Sequence, residues 1–236
     1  MNRNCVAWGI VLLTVCLASG CATYDPAVKG VAAKLDPTGS NATKVVQGDL
    51  SLYVEEYATA EKSQAAFDTR LADEGLLPLL ILVQNGGQQE YEVKATDIVL
   101  RGKTVMNVLT AEQAASKAER SAVGRALGWS LIVPIIGIPV AVVASAMHTS
   151  KVNKQIVQDF AAKPFAGGTI TPNGERSGFV FFELEAGRKD LSDLSLEMTA
   201  QNLVTGDTVT IATPLPPAKF TPKPDASQKA TGEHRW

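Results

Sequence analysis

The chain has 236 residues, 45% of them hydrophobic and 19% charged, with a formal net charge of -2 from 22 Lys+Arg against 24 Asp+Glu. That apolar share excludes a mostly disordered chain, and the balanced charge lacks the basic excess that a nucleic-acid partner needs. Three cysteines are too few for a disulfide scaffold, and two histidines, His148 and His234, leave little for His-based catalysis or a His-rich metal centre.

Residues 1–21 read MNRNCVAWGIVLLTVCLASGC. Arg3 supplies a positive start, and Cys5 to Leu17 is an uncharged, mostly apolar stretch of 13 residues. As a helix it reaches about 20 Å, too short to span a bilayer but ordinary for a signal peptide. Ala18, Ser19 and Gly20 are the small residues of a cleavage site. The run Leu17-Ala18-Ser19-Gly20-Cys21 resembles the lipobox of bacterial lipoproteins. It departs from the commonest pattern at Ala18, where Leu is most frequent. The resemblance implies cleavage after Gly20, a diacylglycerol on the Cys21 thiol and acylation of the new amino terminus. At roughly 0.8 kcal/mol per buried methylene, two or three acyl chains anchor a protein stably to membrane lipid. Ala22, in place of Asp, implies the outer membrane, with the domain facing the periplasm. Cys5 and Cys16 leave with the signal, so no disulfide is expected in the mature chain.

Residues 21–47 carry two Asp-Pro pairs and Gly39-Ser40-Asn41, and they read as a flexible tether. In Gly48 to Tyr57, Leu50, Leu52 and Val54 alternate with Ser51, Tyr53 and Glu55, which predicts a half-buried strand. Ala58 to Asp73 suits a short helix, with Phe67 and Leu71 four apart. Leu76 to Val83 is a continuous apolar run ending in Gln84-Asn85-Gly86-Gly87, a central strand closed by a turn. Because Asn-Gly supplies the positive φ of tight turns, a β-hairpin is expected over 77–100, with a further strand over 103–109.

Thr110-Ala111-Glu112-Gln113 has the form of a helix capping box. Residues 126–147 then run 22 positions without a formal charge, 16 of them apolar. One helix of that length, about 33 Å, would cross a bilayer of about 30 Å. Pro134 and Pro139 interrupt it. A single crossing would also put the later strands on the other side of the membrane from the earlier ones. The expectation is therefore an apolar helical hairpin turning near Pro134–Pro139. Its contacts would be Trp129, Leu131, Ile132, Ile135, Ile136, Ile138, Val140 and Val142. Arms of about 12 Å reach one leaflet only. Lys117, Arg120 and Arg125 before the segment, with Lys151 and Lys154 after it, give no positive-inside asymmetry. Packing on the domain, a homo-oligomer contact and a true span with a different fold remain as alternatives. In the following stretch, Val152, Ile156, Val157 and Phe160 have the spacing of an amphipathic helix that packs on a core.

Strand signals resume over 168–171, 178–184, 194–200 and 208–213, separated by Pro172-Asn173-Gly174 and Thr205-Gly206-Asp207. Residues 214–236 hold five of the 12 prolines and read as a disordered tail. The fold class expected is mainly β: an antiparallel immunoglobulin-like β-sandwich with an inserted helical segment. Its first half is 48–109, the insertion 110–162 and the second half 163–213. This domain resembles envelope lipoproteins built on a small β-sandwich.

No nucleophile elbow, P-loop, zinc-binding helix or paired-cysteine motif occurs. Asp190-Leu191-Ser192-Asp193 reads as a turn at a strand start. Glu55-Glu56 and Glu183/Glu185 have the form of paired carboxylates, but two glutamates at period 2 are the pattern of a solvated strand face. The expectation is a lipid-anchored, non-enzymatic envelope protein with a binding or scaffolding role, no cofactor and no metal. The alternative is a lipid-binding module with the apolar hairpin as lid, and an enzyme ranks third.

Overall fold

The computed structural model describes residues 41–118, 153–185 and 190–218, together with Pro26, Leu35, Pro37, Gly187 and Arg188. Cys21, Gly20 and the apolar segment 126–147 lie outside the described residues, as do His148 and His234.

Two antiparallel sheets form a sandwich. One has the order β1 (Thr43–Gln47), β2 (Leu50–Glu56), β3 (Leu76–Asn85), β7 (Glu175–Glu183). The other runs β5 (Val105–Asn107), β4 (Tyr91–Arg101), β8 (Ser195–Asn202), β9 (Thr208–Pro214), with β6 (Gly168–Ile170) paired to β4. We call these sheets A and B. Strands from before and after the insertion share both sheets. β3 pairs with β7 from Leu76↔Glu183 to Gln84↔Glu175, and β4 with β8 from Tyr91↔Asn202 to Arg101↔Ser195.

The all-apolar run of β3 follows from burial on both faces. Leu77, Leu79, Ile81 and Val83 join Leu50, Leu52 and Val54 against Val93, Ile98, Leu100, Leu196 and Met198 of sheet B. Leu76, Leu80 and Leu82 point the other way, into a second core with Tyr53, Phe179 and Phe181. That outer face of sheet A is covered by a helical layer: α1 (Ala60–Phe67), a 3-10 turn (Leu71–Glu74), the helical residues 111–118 (α2) and 153–162 (α3). Pro78 sits in this central strand because its missing donor costs nothing there. Its carbonyl accepts from Tyr57 N, just past the last residue of β2, so the side of the strand without an N–H faces the end of its neighbour.

The structure corrects several expectations. Residues 77–100 are not a hairpin: β3 belongs to sheet A and β4 to sheet B, so the Asn85-Gly86-Gly87 turn is a crossing between sheets. The stretch read as a tether contains β1, and Leu35 within it is buried in the outer core. At the other end Leu215 and Ala218 pack into the inter-sheet core, so the folded domain runs past 213. The helix expected over 58–73 is broken at Asp68, whose φ of 50° ends α1 before the 3-10 turn. Tyr53, on the expected open face of β2, is buried under the helical layer. The sandwich itself is the architecture the strand pattern predicts.

Candidate functional site: the helical face of sheet A

The helical layer holds the capping box at Thr110 and the amphipathic helix ending near Phe160 that the sequence marks out. The capping box forms as its spacing requires. Gln113 Oε1 accepts from Thr110 N at 2.8 Å, and Thr110 Oγ1 accepts from Gln113 N at 3.2 Å. These reciprocal bonds satisfy donors that a helix start otherwise leaves open. Ala114, Ala115 and Ala118 then form the buried side of α2. Their small side chains let the helix lie close on the sheet.

In α3, Ile156 and Phe160 are buried, while Val157 is 40% exposed. Phe160 stacks on Phe181 at 5.3 Å and meets Phe67 of α1 at 5.2 Å. Phe67 in turn sits edge-on to Phe179 at 4.9 Å. The four phenylalanines thus join α1, α3 and β7. Such contacts add about 0.5–1.5 kcal/mol each beyond area burial.

One charged group lies inside this aromatic layer. The Lys163 side chain is fully buried. Its Nζ donates to the Ala66 carbonyl at the end of α1 and to Asp159 one turn earlier in α3, and it lies 4.9 Å above the Phe67 ring. Burial lowers the Lys163 pKa, and the hydrogen bond it donates to Asp159 opposes that shift without reversing it. The ammonium fastens two helices to each other. Only its position four residues after Asp159 hints at this in the sequence.

The carboxylates that the sequence singles out are engaged by neighbouring groups. Glu56 is buried and accepts from Ala58 N at 2.8 Å, and Lys62 bridges Glu55 and Glu56 at 3.1 and 3.2 Å. Burial, reinforced by those two carboxylates, pushes the neighbouring Tyr57 phenol up to about 12. Glu183 pairs with Lys117 of α2. Glu185 accepts from Thr104 at 3.1 Å and pairs with Arg188 at 3.1 Å. Asp190 Oδ1 accepts from Ser192 N and Oγ at 3.2 and 2.7 Å, the turn expected there. The hydrogen bond from Arg188 holds Asp193 below the usual carboxylate range.

Clefts open on the surface among the described residues, two of them lined as follows. One, of about 400 Å³, lies between residues 161–167 and the start of β7. The other, of about 360 Å³, is lined by Lys103, Glu185, Arg188, Asp190 and Asp193, largely charges already paired with one another. Among the described residues no group of three or more His, Cys, Asp or Glu is placed to hold a metal, and no helix is long and apolar enough to cross a membrane.

No protein-family model matches the chain, and no curated protein matches it. Among solved structures, a "putative lipoprotein (ycdA)" from Bacillus subtilis subsp. subtilis str. 168 aligns at 13% identity and a TM-score of 0.37, over 73% of this chain and 38% of that one. A functionally unknown protein from Listeria monocytogenes EGD-e aligns at 13% identity and a TM-score of 0.30, over 75% of this chain and 84% of the other. The chain spans well under half of the Bacillus protein, and likeness at these scores carries no function across.

Proposed function

We propose that this is a lipid-anchored protein of the bacterial envelope, held by acyl chains on Cys21, with a non-enzymatic binding or scaffolding role. Its site is the outer membrane, with the domain in the periplasm. Residues 126–147 supply a second contact, to membrane or to another copy of the chain.

The supporting observation is the interlacing of the two sequence halves. β3 with β7, and β4 with β8, pair strands from opposite sides of the insertion. Both described flanks of the apolar segment, α2 and α3, pack on one face of one sheet. A single crossing within 119–152 would separate strands that pair with each other, so this pairing favours a segment whose two flanks lie on the same side of any membrane it meets. Cleaved, lipidated Cys21 would place that side outside the cytoplasm. The paired, structurally engaged carboxylates favour a role without catalysis.

Palmitate labelling tests the anchor: it should be present in the wild type and absent from Cys21→Ala. Flotation tests the second contact. A soluble form lacking residues 1–21 should bind liposomes and lose that binding when 126–147 are deleted. Stoichiometric lipid copurifying with a soluble form that ignores liposomes would favour the lid reading instead. Labelling that persists in Cys21→Ala would overturn the anchor.

A further inference from the structure

We infer that the helical layer on sheet A is the membrane-facing side of the domain, docked on lipid headgroups, while the outer face of sheet B, which none of the described residues covers, points away. This rests on the lipid-anchor reading above and adds the orientation.

Three independent observations converge on one face. First, α2 and α3, from which residues 119–152 leave and to which they return, both lie in this layer. Second, the segment leading from Cys21 reaches the same layer early. Leu35 is 3% exposed and packs in the outer core with Tyr53, Phe67 and Phe160. Only 13 residues lie between Cys21 and Leu35. The anchored end and the apolar segment are thus tied to one face, although more than a hundred residues lie between them.

Third, the exposed surface of α3 suits a headgroup boundary. Lys154, Gln155, Val157, Gln158, Ala161 and Ala162 are its exposed residues. The single charge among them is a lysine, and an acidic group is absent from that set. A weakly polar face with a cation is what anionic headgroups accept at low desolvation cost. In the helical layer α1 and α2 each expose a glutamate, Glu61 and Glu112, so the surface poor in charge is that of α3, and the outer face of sheet B differs from it. Lys94, Asp97 and Arg101 are exposed there, Arg101 pairs with Glu197, and Thr199 and Thr210 bond across the strands at 3.2 Å. Opposite charges and a threonine ladder belong in water, where a soluble partner can reach them.

The test uses the lipidated full chain in phosphatidylethanolamine–phosphatidylglycerol vesicles carrying a headgroup quencher. Val157→Cys and Thr210→Cys each receive one thiol-reactive fluorophore, with the wild type as the labelling blank. The Val157 probe should be quenched several-fold more strongly than the Thr210 probe. Flotation with equal quenching, or stronger quenching at position 210, overturns the orientation alone. Failure to float overturns the anchor reading and the orientation with it. Charge reversal by Lys154→Glu offers a second measurement. It should reduce quenching at position 157 without releasing the protein from vesicles, and unchanged quenching in that variant counts against headgroup docking.

Discussion

Asn85 Nδ2 donates to the main-chain carbonyl of Gln89 at 2.6 Å, and this bond closes the turn that carries the chain from sheet A to sheet B. The same amide donates to the carbonyls of Ile170 and Thr171 at 3.2 and 3.1 Å, tying β6 to the crossing. Asn85 Oδ1 accepts from Gly87 N at 2.9 Å. The side chain is 1% exposed, so each of these groups would lack water if the amide were gone. Asn85→Ala should cost about 2–3 kcal/mol in urea unfolding. Asn85→Asp should cost more near neutral pH, because it sets carboxylate oxygens against three carbonyls. Its stability should partly recover as acid protonates the new carboxyl and restores one donor. A neutral Asn85→Asp substitution would mean that water replaces the amide.

Gly178 marks the place where the chain climbs from the helical layer over the edge of β7. A Cβ there would lie 2.6 Å from the Phe165 backbone N and Cα and 2.8 Å from the Pro164 carbonyl carbon. Those atoms are held in place by Phe165 N donating to Phe179 O and Phe179 N donating to Lys163 O, each at 2.8 Å. The backbone of Gly178 is in no left-handed conformation, so the requirement is for space alone. Gly178→Ala should therefore destabilise by about 1–3 kcal/mol, as overpacked cores do. Gly48→Ala, with nothing near its Cβ, is the comparison, although its φ of 59° adds backbone strain of its own. A thermal midpoint unchanged in Gly178→Ala would show that the segment yields.

Strand positions were legible because alternation and apolar runs report burial directly. Leu50-Leu52-Val54 and Leu196-Met198-Ala200 face the inter-sheet core as their period predicts. The capping box at Thr110 and Gln113 was legible because both partners lie within one turn. What the sequence concealed depends on distant chain. The Asn-Gly of Asn85 and Gly86 signals a turn equally well whether the next strand pairs with β3 or passes to the other sheet. Ile170 and Thr171, which decide the matter, lie 85 and 86 residues away. Leu35 was concealed for the opposite reason. A lone leucine among prolines, glycines and alanines has no period, and only the aromatic surface beneath it makes it an anchor.

Tyr57 provides a stability change with a defined sign. Its phenol is raised from 10.0 to about 12, first by burial and then by Glu55 and Glu56. The folded state keeps a proton that the unfolded state loses, so the stability this confers is complete below about pH 10 and declines toward about pH 12. Lys163 acts in the other direction. Its folded-state value is lowered from 10.5, so between that lowered value and 10.5 the unfolded chain binds more protons and stability rises with pH. Wild type alone therefore shows the sum of both. The difference between wild type and Tyr57→Phe isolates the phenol. Urea midpoints from about pH 10 upward should fall more steeply in wild type than in Tyr57→Phe. Parallel curves would show that the phenol ionises as freely folded as unfolded.

The buried Lys163–Asp159 pair makes the sharpest claim about the helical face. Removing one member of a buried ion pair commonly costs about 3–5 kcal/mol, whereas replacing both by apolar groups is often neutral. Lys163→Met removes the ammonium that faces Asp159 and the donor to the Ala66 carbonyl, but keeps a long apolar chain over the Phe67 ring. It should lose about 3 kcal/mol by this reasoning. The double variant Lys163→Met/Asp159→Leu should regain more than half of that loss, although the Ala66 carbonyl stays without its donor. Urea unfolding of the two single variants and the double gives the coupling energy directly. Strictly additive losses would show that the pair does not act as a unit. Because Lys163 fastens α3 to α1, the same single variant should also raise hydrogen exchange across α3 before that of β3. Exchange that rises equally in β3 would mean that the helices and the sheet open together, and that the layer has no independent attachment.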